Sequence, residues 1–143
     1  MIVSGHAHVA AAPAQLWASL SDPRRLAEQL PEVQELEIAD ESHFAAVVQA
    51  PSALGASVFA MQFSISDRRE AEHVRIEAHG LGGENLVELA IELALAPDAA
   101  GTEVDWTADV RVRGVLASLV QRALPAIVSE QVTELLTLGA GVA

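Results

Sequence analysis

Between residues 33 and 113 the chain alternates apolar and polar side chains with a period of two, and nothing in that span carries helical spacing. Such alternation gives a strand one dry face and one wet face, so this part of the chain must build a sheet that buries one side. Residues 33–38 and 43–50 read as a hairpin turning at 39–42, and 51–56 as a loop of small residues. In 58–66, Phe59, Met61, Phe63 and Ile65 alternate with Ala60, Gln62, Ser64 and Ser66, and a turn is expected at 67–70. In 72–81, Val74, Ile76 and Ala78 oppose His73, Arg75, Glu77 and His79. Val87, Leu89, Ile91, Leu93 and Leu95 form the dry face of the next strand. After a turn at 97–101, Val104, Trp106, Ala108, Val110 and Val112 do the same for the last. Short connections between these strands make the sheet antiparallel.

A dry face needs a cover, and the chain supplies one at its C-terminal end. Residues 114–138 place Leu116, Leu119, Ala123, Leu124, Ile127, Val128, Val132 and Leu135 at helical spacing, which predicts one helix of about 36 Å. Pro125 gives no N–H to the carbonyl of Gln121, so a kink is expected there. At the other end, residues 2–10 read as a strand with Val3, Ala7 and Val9 opposite Ser4, His6 and His8. Two short helices follow, opened by Pro13 and by Asp22-Pro23, with Leu16, Trp17, Leu20, Leu26 and Leu30 turned inward. The predicted fold class is α+β: a seven-stranded curved antiparallel sheet wrapped around a long C-terminal helix, with two short helices after strand one. At 143 residues, 1–143 is expected to be a single domain.

Composition excludes several chemistries. There is no Cys, Lys or Tyr, which removes thiol and amine nucleophiles, disulfides and phenolic acids. A net charge of −12 argues against a nucleic-acid partner, because phosphate affinity depends on neutralising cations. No basic n-region precedes an apolar core at the N-terminus, and no long apolar run is present, so a cytoplasmic location is expected.

His6 and His8 share one strand face at a spacing that suits two metal ligands; a third ligand from a neighbouring strand, such as a carboxylate, would be required, and because this face of an edge-side strand meets water no metal or other cofactor is expected. Gly80, Gly82 and Gly83 precede a strand instead of a helix, so they read as a hairpin turn and not as a phosphate loop. Glu88, Glu92, Asp105 and Asp109 fall on the wet face, where a carboxylate lacks the desolvation that acid–base work requires. The dry face is left as the candidate site. Phe59, Met61, Phe63, Val74, Ile76, Val87, Leu89, Ile91, Trp106 and Ala108 on the sheet, with Leu116, Leu119, Ala123, Leu124 and Ile127 on the helix, carry no charge. Periodicity does not distinguish a filled core from a lined cavity. Small residues and a kinked helix favour a cavity, in which Asn85 and the Trp106 indole would orient one polar group of an apolar ligand.

The order of elements, with Ala12-Pro13, Leu16-Trp17 and Ser21-Asp22-Pro23, resembles the helix-grip START and Bet v 1-like superfamily. More narrowly, Gly5, Leu30-Pro31, Gly80-Leu81-Gly82, Gly101-Thr102-Glu103-Val104, Gly114-Val115-Leu116 and Arg122 resemble the carbon monoxide dehydrogenase G-subunit family over nearly the full length. Glu32, Val120 and residues 132–136 depart from its usual glycines and paired phenylalanines. The resemblance implies a carrier or accessory protein that binds a lipid or quinone-like molecule and works beside a molybdenum hydroxylase-type complex. Family members often carry a C-terminal extension implicated in membrane attachment. This sequence ends at Ala143, so at most transient membrane contact is expected. Two alternatives stay open: an enzyme of the polyketide cyclase and dehydratase type, or a protein that recruits a larger complex without a ligand.

Overall fold

The structure is a computed structural model that describes residues 1–30, 33–49 and 58–139, and the side chains of all of these except Leu116, Leu119 and Val120. The chain runs β1 (Ile2–Val9), α1 (Pro13–Ser21), α2 (Pro23–Glu28), β2 (Val33–Ile38), β3 (His43–Gln49), β4 (Val58–Arg69), β5 (His73–Gly82), β6 (Asn85–Asp98), β7 (Gly101–Arg113), α3 (Val115–Val120) and α4 (Leu124–Gly139). The loop expected at residues 51–56 and the helix stop at Pro31 lie outside the described residues.

All seven strands join one antiparallel sheet in the order β1-β7-β6-β5-β4-β3-β2. β1 and β2 therefore sit at opposite edges, and α1 and α2 carry the chain between them across the dry face. Trp17 fixes that crossing by donating its indole N–H to the carbonyl of His73 at 2.9 Å. At the other side of the helices, Arg68 donates to the carbonyls of Ser21 and Glu41 and to the Ser42 hydroxyl, tying the end of α1 to the β2–β3 turn.

The core lies between the sheet and the helices. Leu16, Leu20 and Leu26 of α1 and α2, Val74, Leu93 and Val104 of the sheet, and Val132 and Leu136 of α4 are fully buried. Burying each such aliphatic chain is worth about 1.5–3 kcal/mol.

Three local expectations need correction. The C-terminal helix is broken, not kinked: α3 and α4 are separated by a turn at residues 121–123. Pro125 explains the break. It disfavours continuing a helix begun upstream and fits the first turn of a new one, where Ala123 already accepts from the N–H of Ile127 at 3.0 Å. The turn after β4 falls at residues 70–72 and not 67–70, because a bulge between Ser66 and Arg69, with Asp67 at φ 50°, lets the strand run on to Arg69. Gly80 and Gly82 belong to β5; the turn itself is Gly83 and Glu84.

Candidate functional site

The inward side chains of the sheet form rows set by the register. Gly5, Trp106, Leu93 and Val74 make one row across β1, β7, β6 and β5. Val3, Ala108, Ile91, Ile76 and Ile65 make the next. Val110, Leu89, Ala78, Phe63 and Phe44 follow, and then Val112, Val87, Gly80, Met61 and Ala46. Along β5 the inward residues thus run Val74, Ile76, Ala78, Gly80, Gly82. From Ile76 onward side-chain size falls towards one end of the sheet.

At that end lies a cavity of about 230 Å³. Its floor is Phe59, Met61, Phe63, Ile76, Ala78, Val87, Leu89, Ile91, Val110 and Val112; its roof is Leu124, Ile127, Val128, Gln131, Val132, Glu134 and Leu135 of α4; its side is Leu26, Gln29, Leu30, Val48 and Gln49. The glycines of β5 are not empty space. A β-carbon at Gly80 would stand 2.3 Å from the Met61 sulfur, and one at Gly82 would stand 2.8 Å from the Phe59 ring. Met61 and Phe59 therefore reach across from β4 and lie flat on the glycine backbone, while Phe44 stacks on Phe63 with centroids 4.5 Å apart. At the side, Gln29 closes the C-terminal end of α2, its N–H meeting the carbonyl of Leu26 at 3.0 Å.

Nine of the residues proposed from the sequence come together on this cavity: Phe59, Met61, Phe63, Ile76, Val87, Leu89, Ile91, Leu124 and Ile127. Val74, Trp106 and Ala108 do not. They face inward and are buried but do not line the cavity, and the Trp106 ring occupies the room left by Gly5, where a β-carbon would come within 2.4 Å. Asn85 is also displaced, its amide donating to the Gly82 carbonyl at 3.3 Å within the β5–β6 turn. Ala123 is exposed in the turn between α3 and α4. Leu116 and Leu119 fall among the side chains not described. Sequence reasoning missed the contribution of α2 and the β3 end, Leu26, Gln29, Leu30, Val48 and Gln49, and the Gln131, Val132 and Leu135 stripe. The helical spacing of that stripe with Leu124 and Val128 was the available signal.

The charged side chains of β5 to β7 point to the other side of the sheet. Among the described lining residues the polar side chains are Gln29, Gln49, Gln131 and Glu134, with no cation and no histidine. His43 and His79 are exposed. On the wet face, His6 contacts both Asp105 and Glu103, which raises its pKa, the Asp105 hydrogen bond being the larger cause. Asp40 is held below its ordinary value, first by the N–H of Ser42 and then by His43.

A sheet gripping a C-terminal helix over an apolar chamber, with two short helices inserted after the first strand, defines the helix-grip class of the START and Bet v 1-like proteins. The solved structures agree. A conserved protein from Geobacillus kaustophilus superposes with a TM-score of 0.85 at 20% identity, covering 99% of this chain and 96% of that one. A START superfamily protein from Mycobacterium smegmatis gives 0.71 at 16% identity, covering 98% and 97%. A protein from Thermus thermophilus gives 0.65 at 18% identity, covering 98% and 94%. At these identities the likeness establishes the fold. A search of curated proteins returns no significant match. The family model for the carbon monoxide dehydrogenase G subunit (CoxG) matches residues 5–137, and the chain belongs to that family.

Proposed function

We propose that this protein binds an uncharged apolar small molecule, of the lipid or quinone type, in the cavity between the tapered end of the sheet and α4, and serves as an accessory protein to a carbon monoxide dehydrogenase. The observation that carries the first half is the composition of the chamber wall. Its aliphatic, aromatic and amide side chains offer burial to a hydrocarbon, and with Glu134 as its one charged group the wall offers no counter-charge to an anion. Transfer of apolar area out of water supplies the affinity, at about 25 cal/mol per Å². The volume is slightly below the ~300–1,000 Å³ usual for small-molecule sites, which suits a slender ligand or the head of a longer one. The second half rests on family membership. No helix among the described residues is long and apolar enough to cross a membrane.

The cyclase and dehydratase alternative requires an acid or a base at the chamber wall. Glu134 is the single ionisable group among the described lining residues, and it is exposed. Binding without chemistry is the reading this wall favours. Mass spectrometry of an organic extract of the purified protein, together with titration by the neutral fluorophore N-phenyl-1-naphthylamine, tests it. One apolar species near stoichiometric amount and saturable probe binding are expected. An empty extract with no saturable binding would leave only recruitment without a ligand.

A further inference from the structure

His6 and His8 stand on the outer face of β1, and the third donor that the sequence did not reveal is brought to them by the fold from more than ninety residues away. In the β1–β7 register His8 faces Glu103 and His6 faces Asp105, while the end of β6 carries Asp98 to the same place. His8 Nδ1 lies 3.0 Å from Glu103 Oε1 and 3.2 Å from Asp98 Oδ2, and one donor atom from each of the three falls within 4.8 Å of the others. Metal–ligand bonds of about 2.0–2.2 Å separate neighbouring donors by about 3.0–3.5 Å in octahedral or tetrahedral sites. These atoms therefore already stand at ligand spacing.

His6 is turned in a way that an ion pair alone does not require. Its Nδ1 is 2.6 Å from Asp105 Oδ1, and its Nε2 rests on the second oxygen of Glu103. His6 thereby steadies Glu103, whose other oxygen faces His8, as outer partners steady a ligating carboxylate. Two imidazoles and three carboxylates converge here, and the arginine ion pairs of the described residues go elsewhere, to Glu77, Glu92 and Asp109.

We propose that His8, Glu103 and Asp98 bind a divalent first-row transition ion on the outer face of the β1–β7 edge, with His6, itself held by Asp105, fixing the Glu103 carboxylate. The mixed nitrogen and oxygen donors suit Zn²⁺, Ni²⁺ or Cu²⁺ over the all-oxygen preference of Mg²⁺ and Ca²⁺. A bound ion cross-links edge strand β1 to the β6–β7 hairpin. It sits on the opposite side of the sheet from the cavity, so the site stands or falls independently of the ligand proposed there.

The test uses the full chain without an affinity tag, stripped with a chelator and titrated with Zn²⁺ by calorimetry. One ion per chain is expected, with affinity reduced at least about tenfold in His8→Asn and in Glu103→Gln. Sub-stoichiometric Ni²⁺ added to the unaltered protein gives a second readout that needs no variant: imidazole resonances of His6 and His8 broaden first, those of His43 and His79 last. Absence of stoichiometric Zn²⁺ binding, equal affinity in the folded variants, or broadening that begins at another histidine would overturn the assignment.

Discussion

Phe59 lies flat across the α-carbon of Gly82, so closely that a β-carbon built there would meet three atoms of its ring at 2.8 Å. The glycine is what lets an aromatic side chain serve as floor instead of obstruction. In Gly82→Ala the ring has to lift into the chamber. We expect the dissociation constant of N-phenyl-1-naphthylamine to rise about tenfold, equivalent to about 1.4 kcal/mol, and stability to fall by about 1–3 kcal/mol from overpacking. Gly80→Ala should cost more stability, because there the added methyl also meets the backbone oxygen of Ala60 at 2.4 Å. Fluorescence titration and urea denaturation of the two variants check both statements.

That floor marks where sequence reading stops. Alternation alone assigned Phe59, Met61, Ile76, Leu89 and Ile91 to the dry face, and the antiparallel character of the sheet followed from short connections. Alternation also assigned Val74, Trp106 and Ala108 to the same face, and nothing in a period of two says which rows another element will fill. That depends on how the helices pack over the sheet, a tertiary fact. The taper Ile76, Ala78, Gly80, Gly82 was legible in principle, but reading the last two as a turn concealed it. The break before α4 was half legible, since proline disrupts a helix interior and also starts a new helix, and only packing decides between a kink and a restart.

The wall chemistry predicts selectivity by charge. A carboxylate moved into this chamber finds amides, hydrocarbon and the like-charged Glu134, and burying an ion without a partner is costly. A long-chain alcohol should displace the neutral probe at least about tenfold more effectively than the fatty acid of equal length, a difference of about 1.4 kcal/mol. Gln131→Arg, which sets a cation on the half-buried roof of α4, should narrow or reverse that preference. Competition titrations at pH 8, where the fatty acid is ionised, measure it; equal displacement by both ligands in the unaltered protein would contradict the wall argument.

The β2–β3 turn should show in the acid limb of stability. Asp40 accepts from the Ser42 N–H at 2.8 Å and from His43 at 2.9 Å, and its pKa is lowered from 3.8. A carboxylate whose folded pKa is depressed stabilises the fold above its unfolded pKa, and that contribution is lost as pH falls through the folded value. Asp40→Asn keeps an acceptor for Ser42 but no charge for His43. The variant should be less stable than the unaltered protein at pH 6, and the gap should close on acidification below about pH 4. Urea midpoints across that range test the sign.

Gly101-Thr102-Glu103-Val104 is the stretch in which fold and edge chemistry meet. Gly101, at φ 151°, admits the Val9 carbonyl to 2.1 Å of where a β-carbon would stand, and Val104 is fully buried. Between them Thr102, also fully buried, donates its hydroxyl to the Ala11 carbonyl at 2.6 Å, fixing the link from β1 to α1 across 91 residues. Thr102→Val keeps the shape and deletes the donor, leaving a buried carbonyl without its hydrogen bond. The expected cost is about 1–3 kcal/mol, read as a lower urea midpoint with an unchanged slope. Thr102→Ser, which keeps the hydroxyl and loses one methyl, should cost about 1 kcal/mol, close to the transfer value of that group. Because Thr102 does not line the cavity, probe affinity should hold in both variants at urea-free conditions. If affinity fell in step with stability, the β1–α1 link would be positioning the chamber as well as the core.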